Sequence, residues 1–175
     1  TDMISFLKAP DRRMRPLLSL DFSRWAVHAH KDDTGLGRMA SDVRVVLGFG
    51  HHLVIPTERL TDHPIDCLSE RWLPANASPE SVRSLLFGLD GILFFERPAW
   101  HPHILQIARE MGVATVCVPM WEWFNGHAPE WKYCDLFVCP SQFTQQIVCS
   151  YGFTNTCYLP WPIDLTKLPI REVRG

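Results

Sequence analysis

Residues 135–165 read DLFVCPSQFTQQIVCSYGFTNTCYLPWPIDL and constrain what this chain can fold into more than any other stretch. Leu136, Phe137, Val138 and Cys139 form an apolar run without alternation, the pattern of a strand whose sheet is covered on both faces. Pro140 ends the run, and Ser141 is placed to N-cap a helix, its hydroxyl accepting a backbone N–H of the first turn. Phe143, Ile147 and Tyr151 recur four apart with Val148 beside them, so they are expected to be the buried stripe, with Gln142, Gln145 and Ser150 facing water. Gly152 then stops the helix in the left-handed conformation that costs glycine little. A second strand around Cys157 and a proline-locked exit follow, which makes a β-α-β unit, the connection that joins parallel strands.

The same alternation runs through the chain. A strand over 25–29 precedes a glycine-containing loop and a helix from Leu36, with Leu36, Met39, Val43, Val46 and Leu47 as its apolar stripe. A strand over 52–55 follows; the stretch 57–77, interrupted by Pro64 and Pro74, has room for one short strand. Ser78-Pro79 is a helix start, a cap followed by proline at the first position, and Val82, Leu85, Leu86 and Leu89 are its buried side. A strand over 92–95, a helix over 102–111 stopped by Gly112 and a strand over 113–118 complete the series. The expected fold is α/β, a doubly wound and mainly parallel sheet of six or seven strands with helices on both faces. A length of 175 residues suits one such domain, burying roughly 70% of its unfolded surface. Lys8, Arg12, Arg13 and Arg15 mark 1–16 as a basic arm preceding it.

Written as D-L-F-V-C-P-S-x-F-T…Y-G-F…Y-L-P-W-P-I-D, residues 135–164 resemble the end of the N-terminal domain of GT-B glycosyltransferases, particularly the retaining group-1 type. There a strand leads into Pro-Ser-x-Phe, a helix, a strand and Pro-x-Gly-x-Asp; Pro162 stands where that pattern has glycine. The resemblance implies that 17–165 is a Rossmann-like domain, the acceptor-side half of an enzyme moving a sugar from a nucleotide-sugar to a carbohydrate or lipid-linked acceptor. It implies that 166–175 begin the crossover to an absent C-terminal donor domain, which supplies most nucleotide contacts. The isolated chain is then expected to lack turnover, and no cofactor is implied beyond the nucleotide-sugar co-substrate. Two other classes fit the same fold: a non-enzymatic binding or assembly module, and an NAD(P)-binding oxidoreductase domain.

In an open parallel sheet, ligands bind beyond the carboxyl ends of the strands. The unusual residues of this sequence fall there. Gly35, Gly37 and Arg38 follow the first strand, Glu96, Arg97 and Trp100 the fourth, Trp121 and Glu122 the fifth, and Ser141 the sixth. The glycines are expected to admit close backbone approach, and Arg38 to offer a forked clamp for phosphate or carboxylate. Trp100 and Trp121 are expected to stack on a sugar or acceptor, and Ser141 to offer its hydroxyl or a helix-start N–H. Glu96 and Glu122 are the candidate catalytic carboxylates, able to orient or deprotonate an acceptor hydroxyl. Gly35 to Ala40 also fits the dinucleotide fingerprint G-x-G-x-x-G/A, with Glu58 as a ribose-binding acid. Five residues separate it from its strand, and Asp32 and Asp33 among them would repel pyrophosphate, which weighs against that reading.

A net charge of −2 gives no electrostatic reason for nucleic acid as a partner. No apolar run approaches the roughly 20 residues of a membrane span, and the six cysteines form no Cys-x-x-Cys pair. A cytoplasmic setting, extending to peripheral attachment at the inner membrane surface, is the expectation, with the cysteines as small core hydrophobes. His51-His52 and His101-Pro102-His103 lack the i, i+4 spacing of helical metal ligands, so no metal is expected; His28 and His30 at the end of the first strand are better placed for a cleft role. Exposed aromatics at the cleft, Trp100, Trp121, Trp123 and Trp161, suggest self-association as a symmetric dimer.

Overall fold

Short, mostly apolar runs, joined at one edge by the polar strand Ser-Glu-Arg-Trp, form one seven-stranded sheet, parallel at every pairing. The computed structural model describes residues 21–31, 35–55, 69–96, 101 and 103–160. The expected basic arm, the crossover segment and most of the irregular stretch lie outside the described residues. In chain order the elements are β1 Trp25–His30, α1 Gly35–Leu47, β2 His51–Ile55, β3 Ser69–Trp72, α2 Pro79–Leu86, β4 Gly91–Phe95, α3 Ile104–Met111, β5 Ala114–Val118, a 3-10 turn Pro129–Tyr133, β6 Leu136–Cys139, α4 Gln142–Ser150 and β7 Thr156–Tyr158. Their spatial order is β3-β2-β1-β4-β5-β6-β7. The doubly wound α/β fold read from the alternation is the fold observed.

Both faces of the central strands are covered, which explains why β4 and β6 lack polar alternation. β4, Gly-Ile-Leu-Phe-Phe, is buried throughout. Ile92 and Phe94 join Leu53, Cys117 and Phe137 in a core closed by Val82 and Leu86 of α2, Ile104 and Ile107 of α3 and Val148 of α4. Leu93 and Phe95 face the other way, with Val27, Val116 and Val138, against Ala40 and Val43 of α1.

Helix boundaries follow the local chemistry. Ser78 caps α2, its Oγ accepting the Ser81 N–H at 3.2 Å, with Pro79 at the first position. Gly112 ends α3 at φ 71°, and Gly152 follows α4 at φ 90°. Two helix faces differ from expectation. α4 buries Thr144 and Val148, while Phe143 and Tyr151 are exposed. Thr144 tolerates burial because its hydroxyl meets Ser141 Oγ at 2.9 Å. In α1 the buried residues are Gly37, Ala40 and Val43, and Val46 turns outward.

The amino ends of the strands are pinned by close contacts. Trp25 of β1 lies opposite Gly91 of β4, and a Cβ at Gly91 would stand 2.5 Å from the Trp25 ring. Between β5 and β6, the Asp135 carboxylate accepts the Thr115 N–H at 2.8 Å, while the Asp135 N–H donates to the Thr115 carbonyl at 3.1 Å. Asn155 Nδ2 donates to the Cys134 carbonyl at 2.9 Å, which ties the approach to β7 into the same corner. The amino edge is thus tied by hydrogen bonds and close packing, and the loops that follow the strands lie at the opposite edge.

Candidate functional site at the carboxyl edge of the sheet

The strand order changes direction between β1 and β4: the chain moves from β1 outward to β2 and β3, then returns to β4 on the other side. Loops leaving β1 and β4 therefore diverge, and such a switch point is where open α/β sheets bind ligands. Gly35, Gly37 and Arg38 open the helix that follows β1, and Glu96 follows β4 directly. Trp121 and Glu122 follow the next strand, β5, and Ser141 follows β6. Trp100 lies outside the described residues. Strands are spaced about 4.8 Å apart, so the ends of β1, β4 and β5 span about 10 Å, while β6 stands about 14 Å from β1. Ser141 therefore belongs to the far rim of any cleft centred on the switch point.

Glu96 has the least ordinary backbone of the group. Its φ is 62°, the left-handed region that a non-glycine residue seldom occupies, and it is the only such residue among those described. Its N–H donates to the Val118 carbonyl at 2.9 Å, carrying the β4–β5 ladder one residue past the strand. The chain kinks at the switch point with a carboxylate rather than a glycine at the kink. Relieving the kink with Glu96→Gly is expected to raise stability by about 1 kcal/mol, read from urea unfolding; a loss would mean that the Glu96 side chain stabilises the fold.

The loop after β5 presents aromatic surface. Trp121 is half exposed and meets Phe143, also half exposed, edge to face with centroids 5.6 Å apart. Glu122 and Trp123 are exposed beside it. Phe143 is the residue sequence reasoning assigned to the core. Trp131, the other tryptophan of this loop, is buried: its Nε1–H donates to the Asn125 carbonyl at 2.8 Å and its ring packs on Phe124 and Phe137. Ser141 Oγ accepts the Thr144 N–H at 3.0 Å, so its hydroxyl serves as the cap of α4. Arg38 and Gly35 are exposed, and nothing lies within 4 Å of a Cβ built at Gly35.

Two other groups border this edge. Lys31, just past β1, pairs with Glu70 of β3 at 3.1 Å with both side chains largely buried. His28, inside β1, is wholly buried against Phe94, and neither ring nitrogen has a hydrogen-bond partner. Burial first, then the neighbouring His52, lowers its pKa to about 3. Burial likewise takes His52 down to about 4, although its Nε2–H donates to the Ala29 carbonyl at 3.1 Å. Burial pushes the thiols of Cys117 and Cys134 up and that of Cys139 up to about 12, so none of the three is a thiolate nucleophile at neutral pH.

Among the described residues no three His, Cys, Asp or Glu side chains are gathered so as to hold a metal ion, and no helix is long and apolar enough to cross a membrane. Comparison with protein-family models, with curated proteins and with solved structures gives no match.

Proposed function

We propose that this domain is the acceptor-side half of a glycosyltransferase that moves a sugar from a nucleotide-sugar to a carbohydrate or lipid-linked acceptor. The observation that carries this reading is that two neighbouring strands, β4 and β5, end at the carboxyl edge in a kinked carboxylate, Glu96, and in exposed aromatic surface at Trp121. Aromatic faces bind the C–H side of a sugar ring, and carboxylates hydrogen-bond its hydroxyls. That pairing suits a polyhydroxylated ligand better than a pyrophosphate, which the carboxylates would repel. In the transfer, the acceptor hydroxyl oxygen forms a bond to the anomeric carbon as the bond from that carbon to the nucleotide phosphate breaks. The nucleotide leaves with the bonding electron pair, and the hydroxyl proton passes to Glu96 or Glu122. Gly35, exposed at the start of α1, admits close approach, Arg38 clamps an anionic group, and Ser141 stands at the far rim of the acceptor platform, while Gly37 is buried against the sheet and serves packing.

Saccharide-array binding by the purified chain, followed by calorimetry on the best ligand, tests the reading. Trp121→Ala is expected to weaken that ligand about tenfold, the loss of one aromatic contact of about 1.4 kcal/mol. In an enzyme that includes the donor domain, Glu96→Gln is expected to slow transfer about a hundredfold or more. A chain that binds no saccharide, or variants that leave affinity and rate intact, would leave these residues with packing and capping roles alone.

A further inference from the structure

Among the four α-helices of the described residues, α4 alone carries no charged side chain. α1 has Arg38 and Asp42, α2 has Glu80 and Arg83, and α3 has Arg109 and Glu110. A helix face turned to water is ordinarily charged. The flank of α4 is aromatic instead. Phe143 is 53% exposed and Tyr151 40%, and half-buried Ile147 lies midway between them. β6 and β7 are parallel, so α4 runs back from the carboxyl edge of the sheet to the amino edge. The loop after β5 runs beside it: Trp121 meets the Phe143 ring at one end, and His127 meets the Tyr151 ring at the other, centroids 5.1 Å apart. Trp121 and Trp123 of that loop are themselves 50% and 59% exposed.

We propose that this flank of α4, with the β5 loop beside it, is the interface of a twofold homodimer in which the two copies of α4 pack antiparallel across Ile147.

The size of the patch fits that role. Four aromatic side chains, each about half open and worth roughly 200 Å² when fully so, offer about 400 Å² of contact surface. A standard interface takes about 800 Å² from each partner, so the aromatics fill about half of it. Gln142, Gln146 and Ser150, exposed and uncharged, border them as a polar rim.

The chemistry selects a second copy as the occupant. Anionic lipid surfaces and nucleic acids draw basic side chains, and α4 offers none. A foreign protein is commonly selected by charges set against its own, and α4 has none to set. A twofold interface lays one patch on itself, so a charge near the axis would meet its like; a helix free of charge meets that condition. The spacing is self-complementary as well. Ile147 is four residues from Phe143 and four from Tyr151, so an antiparallel copy turned about Ile147 sets Phe143 of each copy opposite Tyr151 of the other. Glu122 follows Trp121 at the Phe143 end, and the same arrangement carries the two Glu122 side chains to opposite ends. From Phe143 to Tyr151 the stripe extends about 12 Å, so a domain seated on the carboxyl edge would cover the first and leave the second open.

Sedimentation of the purified chain tests the dimer without any ligand. Between about 1 and 100 μM the mass is expected to rise from 20.1 kDa to twice that value. Phe143→Glu and Ile147→Glu, checked for folding by circular dichroism, are each expected to weaken the dimer at least tenfold, because each places like charges together at the contact. Phe87→Glu, at a 78% exposed ring on the end of α2, is expected to leave it unchanged. Ile147→Cys in a Cys149→Ser background is expected to form a disulfide-linked dimer under mild oxidation, since the axis brings residue 147 onto itself, whereas Phe87→Cys in that background is not. A wild-type chain that stays monomeric overturns the proposal, and co-sedimentation of that monomer with phosphatidylcholine vesicles would assign the flank to a membrane. A dimer that survives both glutamates, or cross-links equally through position 87, overturns it too.

Discussion

Gly50→Ala is expected to destabilise the chain by about 3 kcal/mol or more, visible as a large drop in the urea midpoint with the slope preserved. A Cβ at Gly50 would collide with the carbonyl oxygen and carbon of Ser23. That obstacle is backbone, not the flexible end of a side chain, and it belongs to the turn that delivers the chain into β1, where the Trp25 N–H donates to the Phe22 carbonyl at 2.9 Å. The Gly50 N–H donates to the same carbonyl at 3.3 Å, so the two strand starts share one anchor. Relief requires β1 and β2 to separate at their amino ends. Gly35→Ala supplies the contrast. With open space at its Cβ and a place at the start of a helix, it is expected to fold with stability unchanged or raised by up to about 1 kcal/mol. If both alanines cost the same, the close approach at Gly50 does not exist in solution.

Phe137→Ala is expected to cost about 3–5 kcal/mol, a large share of the roughly 5–15 kcal/mol that holds a typical domain together. The ring is wholly buried at the centre of an aromatic cluster, with centroids 5.4 Å from Trp131, 5.7 Å from Phe124 and 5.1 Å from Phe153. It also sits in β6, which pairs with β5 on one side and β7 on the other, so the cavity opens beneath two ladders. Phe137→Leu should recover more than half of the loss, because most of the volume is kept. Chemical denaturation monitored by tryptophan fluorescence reports both, since Trp131 lines the cavity. A cost below about 1.5 kcal/mol would show that the neighbouring rings collapse into the space.

Continuous apolar runs made the strands legible. Gly91 to Phe95 has no polar residue to misplace, and a run of that kind has few uses outside a sheet covered on both sides. The caps were legible for a similar reason: Ser78-Pro79 and Ser141 carry chemistry that only a helix start uses well. The helix faces were less so. Periodicity placed Phe143 inward, yet it lies in the first turn of α4, past the end of the sheet, where its ring meets Trp121 instead of a strand. Thr144 reads as polar and is buried, because the capping serine satisfies it. Of the site, the edge on which Glu96, Trp121 and Glu122 fall was readable from position after each strand, but the neighbours of each loop were not. Strand order depends on pairings distant in sequence, and no local pattern announces that β1 sits between β2 and β4. His28 was recognised as a residue near the cleft, but the lack of partners for its nitrogens depends on what the fold brings above it.

The seam between β1 and β4 has a consequence for how the protein is made. Trp25 must wait for Gly91, 66 positions later, before the middle of the sheet can close. At a synthesis rate of 5–20 residues per second, that interval is about 3–13 seconds. Until then β1 can pair with β2, but its other edge has no native neighbour, and the apolar ring of Trp25 has no glycine to lie against. A nascent chain in this state is an open template for other extended segments. Slowing translation between the two strands lengthens that window, and the fraction of protein recovered folded should fall with it, even though no residue has been changed.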